Sequence, residues 1–275
     1  MTLFEAYKKG LNQLKNPEID EINLRILLCE NNSLKSMTDF YIHKDENIKD
    51  LQRFNEDLQR FLRGEPVQYI TGKASFLGHD FKVNSNVLIP RNETEEVVLF
   101  AARKIKDKFD EKSIQIADVC TGSGCIGCEL FNRTNCDKVL FSDISEKAIE
   151  IAQENAKTYK VNGEFYVSDA LSYLENKVDV VVANPPYILN KENIDKSVDD
   201  YEPHLALYVD EQLSIYHKII EKACALGIEL MVFEIGFDLE EKLTKLIKNL
   251  APNYSYGFEK DMNGKLRICW LEKTN

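Results

Sequence analysis

No apolar run in this 275-residue chain approaches the roughly 20 residues that span a bilayer, so no membrane anchor is expected. The opening, Met1-Thr-Leu-Phe-Glu-Ala6, lacks the basic-then-apolar order of a secretory leader, which makes the cytoplasm the expected compartment. Cysteines are odd in number and scattered: Cys29, Cys120, Cys125, Cys128, Cys136, Cys224 and Cys269 fall mostly inside apolar stretches, a pattern of reduced thiols rather than of a disulfide framework. The four histidines, His43, His79, His204 and His217, show no ligand spacing. Cys125-Ile-Gly-Cys128 has that spacing but no second pair or histidine nearby, and no metal is expected. A Gly-Lys-Ser/Thr phosphate loop is missing, and Thr121-Gly-Ser-Gly-Cys125 lacks the outer glycines of a nucleophile elbow. There is no internal repeat and no low-complexity segment.

Positive charge is in deficit as well. The net charge is -11, and residues 1–84 hold 12 Lys+Arg against 13 Asp+Glu, leaving 23 against 33 in the remainder. Such an acidic second part repels a phosphate backbone and counts against DNA or RNA as the direct substrate; it suits a basic protein partner, although a plain solvated surface has the same balance. With 44% hydrophobic and 29% charged residues the chain can bury a large core in one or two domains.

Thr2-Leu-Phe-Glu5 reads as a capping box opening a first helix, and Glu18 to Cys29 carries Ile19, Ile22, Leu24, Ile26, Leu27 and Leu28 at helical spacing. A further helix puts Leu51, Phe54, Leu58, Phe61 and Leu62 on one face and stops at Gly64-Glu-Pro66. Tyr69 to Phe76 and His79 to Val83 read as a hairpin turning at Leu77-Gly78. These features predict a helical domain with a terminal hairpin over 1–84 and a hinge over 85–92, containing Leu88-Ile-Pro-Arg91. Residues 93–275 then alternate. Strands fit Ile114–Cys120, Val139–Ile144, Glu164–Val167, Val178–Ala183 and Ile228–Ile235; helices fit 94–107, 124–133, 146–159, 211–226 and 238–249. That alternation predicts an α/β fold with a mostly parallel sheet covered on both faces, and Tyr254–Lys260 with Leu266–Leu271 across Asn263-Gly264 adds an antiparallel hairpin.

Val178-Asp-Val-Val-Val-Ala-Asn-Pro-Pro-Tyr187 is the stretch around which the second part is built. Its β-branched run suits a strand buried on both faces, and Pro185-Pro186 cannot continue a hydrogen-bond ladder, so Asn184 to Tyr187 fall at the carboxyl end of the strand, where open α/β sheets bind ligands. An amide or exocyclic amino nitrogen is a poor nucleophile because its lone pair is delocalised. The Asn184 side-chain oxygen and the Pro185 carbonyl each suit one N–H of such a group, with Tyr187 against its flat face; an ordinary Asn-Pro turn is the plain alternative.

Asp118-Val-Cys-Thr-Gly-Ser-Gly124 follows the first strand and opens a helix, with glycines that let the backbone approach a ligand. Asp143 follows 19 residues after Gly124, where a carboxylate suits ribose hydroxyls, and Ser168-Asp169-Ala170 ends the next strand, where one suits an adenine amino group. Gly122-Ser-Gly-Cys-Ile-Gly127 also matches the dinucleotide fingerprint, but no His-carboxylate constellation accompanies it, and a dehydrogenase has no use for Asn-Pro-Pro-Tyr.

Together these motifs resemble S-adenosylmethionine-dependent methyltransferases, and more narrowly the family that methylates a glutamine side-chain nitrogen of peptide chain release factors, the HemK or PrmC type. The resemblance covers nearly the whole chain and includes Pro66-Val-Gln-Tyr-Ile-Thr-Gly72, Phe76, Gly78, Phe81, Leu88-Ile-Pro-Arg-Asn-Glu-Thr-Glu95, Tyr201-Glu-Pro203, Glu234-Ile-Gly236, Asp261, Gly264 and Arg267. It implies a Rossmann-like class I methyltransferase sheet behind a helical substrate-recognition domain, S-adenosyl-L-methionine as cofactor and class I release factors as protein substrate. It also implies no direct nucleic-acid or membrane partner and a monomer. By resemblance, Cys120, Thr121, Gly122, Ser123 and Gly124 wrap the methionine moiety, with Asp118 counted among the cofactor contacts; Asp143 with Ile144 meets the ribose, and Asp169 with Ala170 the adenine. Asn184, Pro185, Pro186 and Tyr187 form the catalytic tetrapeptide, Asn184 touching both cofactor and glutamine, while Arg91 and Glu93 line the cleft. The sequence departs from the family where Cys120 replaces a glycine and where Leu207–Leu213 is shorter and lacks glycines. An amino methyltransferase of DNA or RNA shares Asn-Pro-Pro-Tyr and is the rival reading.

Overall fold

In the computed structural model, which describes residues 1–14, 17–189 and 194–274, the Thr2 hydroxyl accepts the Glu5 N–H at 3.2 Å and the Glu5 carboxylate accepts the Thr2 N–H at 2.8 Å. The expected capping box therefore starts α1 (Leu3–Leu11). After it come α2 (Pro17–Asn32), α3 (Met37–Ile42), α4 (Leu51–Leu62) and α5 (Val67–Thr71). Leu24, Leu27, Leu28, Phe40, Phe54 and Leu58 form their shared core. Ile22 is exposed, because the buried face of α2 is set by Leu24, Leu27 and Leu28, two residues out of phase with it; the Ile19 side chain lies outside the described residues. Leu51 likewise faces solvent. Tyr69 to Thr71, expected in a strand, close a short helix instead: Pro66 precedes it and Gly72, at φ 78, ends it.

The chain divides into two compact units, Met1–Lys73 with Lys196–Tyr201, and Ala74–Asp195 with Glu202–Asn275. Tyr201 anchors the short Lys196–Tyr201 helix (α9 in chain order) in the first unit, its hydroxyl donating to the Arg63 carbonyl at 3.2 Å. The hairpin β1 (Lys73–Phe76) and β2 (His79–Lys82) turns at Leu77-Gly78, both at positive φ, and packs Phe76 and Phe81 into the core of the second unit. This division of the chain therefore falls earlier than the sequence-based boundary after residue 84.

The second unit holds β3 (Ile114–Val119), β4 (Cys136–Asp143), β5 (Gly163–Val167), β6 (Val180–Ala183), β7 (Leu230–Glu234), β8 (Tyr254–Lys260) and β9 (Leu266–Lys273) in one sheet of order β5-β4-β3-β6-β7-β9-β8. The first five are parallel, and β9 runs antiparallel to both β7 and β8. Helices α6 (Asn92–Phe109), α7 (Cys125–Arg133), α8 (Glu146–Thr158), α10 (Ser214–Leu226) and α11 (Glu240–Leu250) accompany them. The alternation along β6 shows why its sequence is apolar throughout: Val180 and Val182 face a core with Val97, Val98, Ile126 and Leu130, whereas Val181 and Ala183 face the other, with Ile219, Ile220, Leu243 and Ile247. The mostly parallel sheet with its antiparallel hairpin is as the sequence predicts. Among the described residues no helix is long and apolar enough to cross a membrane.

Candidate active site

Strand order reverses between β3 and β6: β4 and β5 lie to one side, β7 to the other. At such a switch point the loops leaving the strand ends diverge and leave a crevice. A cavity of about 380 Å³ occupies this place and collects residues from four strand ends: Cys120 to Ser123 after β3, Asp143 to Ser145 after β4, Ser168 to Ala170 after β5, and Asn184 with Pro186 after β6.

The turn after β3 is built on left-handed backbone. Cys120, Gly122 and Gly124 stand at φ 57, 53 and 80. A Cβ on Gly124 would meet the Ala152 backbone at 3.2 Å, so helix packing requires glycine there; one on Gly122 meets nothing within 4 Å. Cys120 carries a side chain in a region that costs a non-glycine residue about 1 kcal/mol or more. Leu213, at the end of the glycine-poor Leu207–Leu213 loop, does the same at φ 54. Asp143 fastens the turn: its Oδ2 accepts the Gly122 N–H at 3.0 Å, and its Oδ1 the Ser145 N–H at 2.9 Å. The Ile144 N–H donates to the same carboxyl, and burial raises it above its ordinary range against the pull of these backbone bonds.

Asp118 lies behind this turn and not on the cavity. Fully buried, it accepts Thr121 Oγ1–H at 2.6 Å and the Gly127 N–H at 2.9 Å through Oδ2. Burial pushes its carboxyl up to about 7 against the pull of those two bonds. Gly127 is there for space, since a Cβ would lie 2.4 Å from the Phe141 ring.

Asn184 is partly exposed at the end of β6, and its Nδ2 donates to Thr94 Oγ1 at 3.4 Å. The amide oxygen is thereby the end left for a ligand. The Thr94 hydroxyl donates to Glu234 Oε2 at 2.6 Å, and Glu234 Oε1 accepts the Tyr187 hydroxyl at 3.3 Å. Tyr187 thus turns from the cavity toward Glu234, with Arg267 5.9 Å from its ring centre. Neither it nor Pro185 lines the cavity.

The other expected site residues divide between the cavity and its surroundings. Ala170 lines the cavity at φ 52, and Asp169 lines it in an ion pair with Lys218 of α10. Ile144 presents an exposed apolar side chain at the cavity edge, 58% accessible. Arg91 is engaged by the buried Glu202 rather than by the cavity, and Glu93 sits in the first turn of α6, where its charge adds to the rise that burial imposes on the Glu234 carboxyl. Sequence reasoning assigned no role to Thr94, Glu202, Glu234 or Lys218. The first three lie within stretches that carried the family resemblance; no signal marked Lys218. Among the described residues no group of three or more His, Cys, Asp or Glu side chains could hold a metal, and all seven cysteines are free.

Comparisons with known proteins agree with this architecture. The family models for the PrmC N-terminal domain and the Methyltransferase small domain match residues 5–72 and 99–200. The release factor glutamine methyltransferase of Staphylococcus aureus is 39% identical over 84% of this chain and 85% of its own, and that of Bacillus subtilis 35% identical over 100% and 99%. Among solved structures, the hMettl16 catalytic domain in complex with MAT2A 3'UTR hairpin 6 superposes with a TM-score of 0.57 at 12% identity, covering 80% of this chain and 83% of that one. The ribosomal protein L11 methylase of Lactobacillus delbrueckii subsp. bulgaricus reaches 0.50 at 17%, covering 70% and 84%. At these identities the solved structures speak for the fold alone.

Proposed function

Because the chain belongs to the release factor glutamine methyltransferase family, we propose that it transfers a methyl group from S-adenosyl-L-methionine to the side-chain amide nitrogen of the glutamine in the Gly-Gly-Gln motif of class I peptide chain release factors. The observation that carries this reading is the Asn184 amide, held by Thr94 so that its oxygen is free, in the same cavity as the Gly122 turn and Asp143.

The residues fit the cofactor. Gly122 has open space where a Cβ would project, Asp143 lines the cavity as an acceptor suited to ribose hydroxyls, and Ile144 offers a flat apolar contact at the edge. Cys120 to Gly124 would hold the methionine moiety, Asp143 and Ile144 the ribose side, and Asp169 with Ala170 the adenine, Asp169 exchanging its exposed Lys218 partner for the amino group. Asp118 acts from behind, by fixing the loop through Thr121 and Gly127.

When bound, S-adenosylmethionine supplies a methyl group that its sulfonium has already made electrophilic. The protein's part is alignment and exclusion of water. Asn184 Oδ1 would accept one N–H bond of the glutamine amide and so set the direction in which its nitrogen lone pair is presented, while Pro185, off the cavity lining, fixes the backbone that carries it. Pro186 closes the wall, Tyr187 braces the tetrapeptide through Glu234, and Arg91 braces the 89–91 segment through Glu202. The helical first unit is assigned to recognition of the release factor. We assign the protein to the cytoplasm as a monomer, with no direct contact to nucleic acid or membrane. The net charge of -11 favours a basic protein over a phosphate backbone, and so argues against amino methylation of DNA or RNA.

The test is incubation of the full chain with radiolabelled S-adenosylmethionine and a purified release factor, its Gln→Ala variant at the Gly-Gly-Gln tip, DNA or RNA. Label is expected on the unaltered release factor alone; label on a nucleic acid, or on the Gln→Ala variant equally, would overturn the assignment.

A further inference from the structure

Glu234 ends β7 with its side chain sealed from solvent, and it does not touch the cavity. Its Oε2 accepts the Thr94 hydroxyl at 2.6 Å, and Thr94 Oγ1 in turn accepts Asn184 Nδ2 at 3.4 Å. A threonine hydroxyl carries one proton and two acceptor sites. Beside an ionised carboxylate, which only accepts, that proton is committed to Glu234, and whatever faces Thr94 from its other side must be a donor. Only the NH2 end of the Asn184 amide meets that condition.

We propose that Glu234 is a positioning residue that acts through Thr94 to lock the Asn184 amide with its oxygen toward the cavity, and so sets the direction in which a substrate amide is received. The proposal rests on the reading of Asn184 as acceptor for the glutamine N–H. Tyr187 holds the second oxygen of Glu234 at 3.3 Å and keeps the carboxylate from rotating away from Thr94.

A protonated Glu234 donates instead of accepting. Thr94 then accepts from it and donates to Asn184, and the amide is free to turn over. Burial pushes Glu234 up to about 6; Thr94, the Arg267 charge and Tyr187 oppose the rise, and Glu93 adds to it. Around it stand Thr94 and Glu93 of α6, Arg267 of β9 anchored on Asp261, Tyr187 after β6, Cys125 of α7, and Tyr216 of α10, whose hydroxyl donates to the Glu234 carbonyl. The lock is engaged above about 6 and released as the pH falls through that value.

The experiment measures kcat, KM for release factor and cofactor affinity between pH 5 and 8 for the full chain and for Thr94→Ser, Thr94→Val, Glu234→Gln and Asn184→Ala. Thr94→Ser is expected to stay close to the parent. Thr94→Val and Glu234→Gln should lose about tenfold or more in kcat while cofactor affinity changes less than about threefold. The parent should show an acid limb in kcat near 6 that Glu234→Gln lacks. A Thr94→Val enzyme with parental kcat, or an unchanged acid limb in Glu234→Gln, overturns the lock. Failure of the parent to label the release factor, or full turnover in Asn184→Ala, overturns the functional reading instead. If Glu234→Gln does not fold, the contrast of Thr94→Val with Thr94→Ser decides alone.

Discussion

Asp143 Oδ2 accepts the Gly122 N–H at 3.0 Å, so the acid assigned to the ribose also pins the turn assigned to the methionine moiety. Removing it takes away ligand contacts and loosens the loop that makes the others. Asp143→Ala is therefore expected to weaken binding of S-adenosylhomocysteine by about a hundredfold, the loss of two charge-assisted hydrogen bonds. Asp143→Asn, which keeps one acceptor oxygen, should lose less. Calorimetric titration checks both, and near-parental affinity in the alanine variant would sink the assignment.

Asn184 contributes differently, because its oxygen is assigned to the substrate amide and its nitrogen is spent on Thr94. Asn184→Ala should leave cofactor affinity within a modest factor and lower kcat on release factor by about a hundredfold, as expected when an orienting acceptor is lost from a transfer that depends on alignment. Single-turnover transfer of label separates the two quantities. A variant with near-normal turnover would remove Asn184 from the mechanism.

Arg91 is predicted to matter first for stability. Glu202 is 4% exposed, and among the described residues its carboxylate accepts from the Arg91 guanidinium and, at 3.2 Å, from the Ile89 N–H. Arg91→Met strands a buried acid and should cost ~2–3 kcal/mol in urea unfolding. Adding Glu202→Gln removes the stranded charge and should recover roughly half of that loss. Equal stabilities for the single and double variants would show that the pair is not coupled.

The strand ends were legible in the sequence because each carries a local signal: a β-branched run halted by Pro185, glycines after β3, an acid after β4. What joins those ends was not. Thr94 and Glu234 are 140 residues apart and Arg91 and Glu202 are 111 apart, and no periodicity or spacing reports a pairing made by packing two elements together. Turn chemistry hid elsewhere, since Cys120 and Leu213 occupy left-handed backbone without the glycine that would have announced it. Local propensity misled once: Tyr69-Ile-Thr71 is rich in strand formers, yet Pro66 and Gly72 bracket it into one helical turn. The six-residue α3 and α9 are too short for an amphipathic period to declare itself.

The last prediction concerns pH and stability. Burial raises Asp118 to about 7 from an ordinary 3.8, with Asp143 adding to the rise, and Oδ1 of Asp118 has no hydrogen-bond partner among the described residues. A carboxyl whose folded pKa exceeds its unfolded one favours folding while it is protonated, so its contribution is complete below the unfolded value and is lost as the pH rises through the folded one. Between about 4 and 7 the folded chain retains a proton that the unfolded chain releases, and stability falls by ~1.4 kcal/mol for each pH step of one across that window. Asp118→Asn keeps an oxygen for Thr121 and Gly127 and carries no charge, at a constant cost of ~1 kcal/mol for an amide N–H left without an acceptor. The variant should therefore be slightly less stable than the parent at pH 4 and more stable at pH 8, the difference changing sign between the two. Urea unfolding at both pH values measures it, and a difference independent of pH would show that Asp118 is ionised in the folded protein throughout.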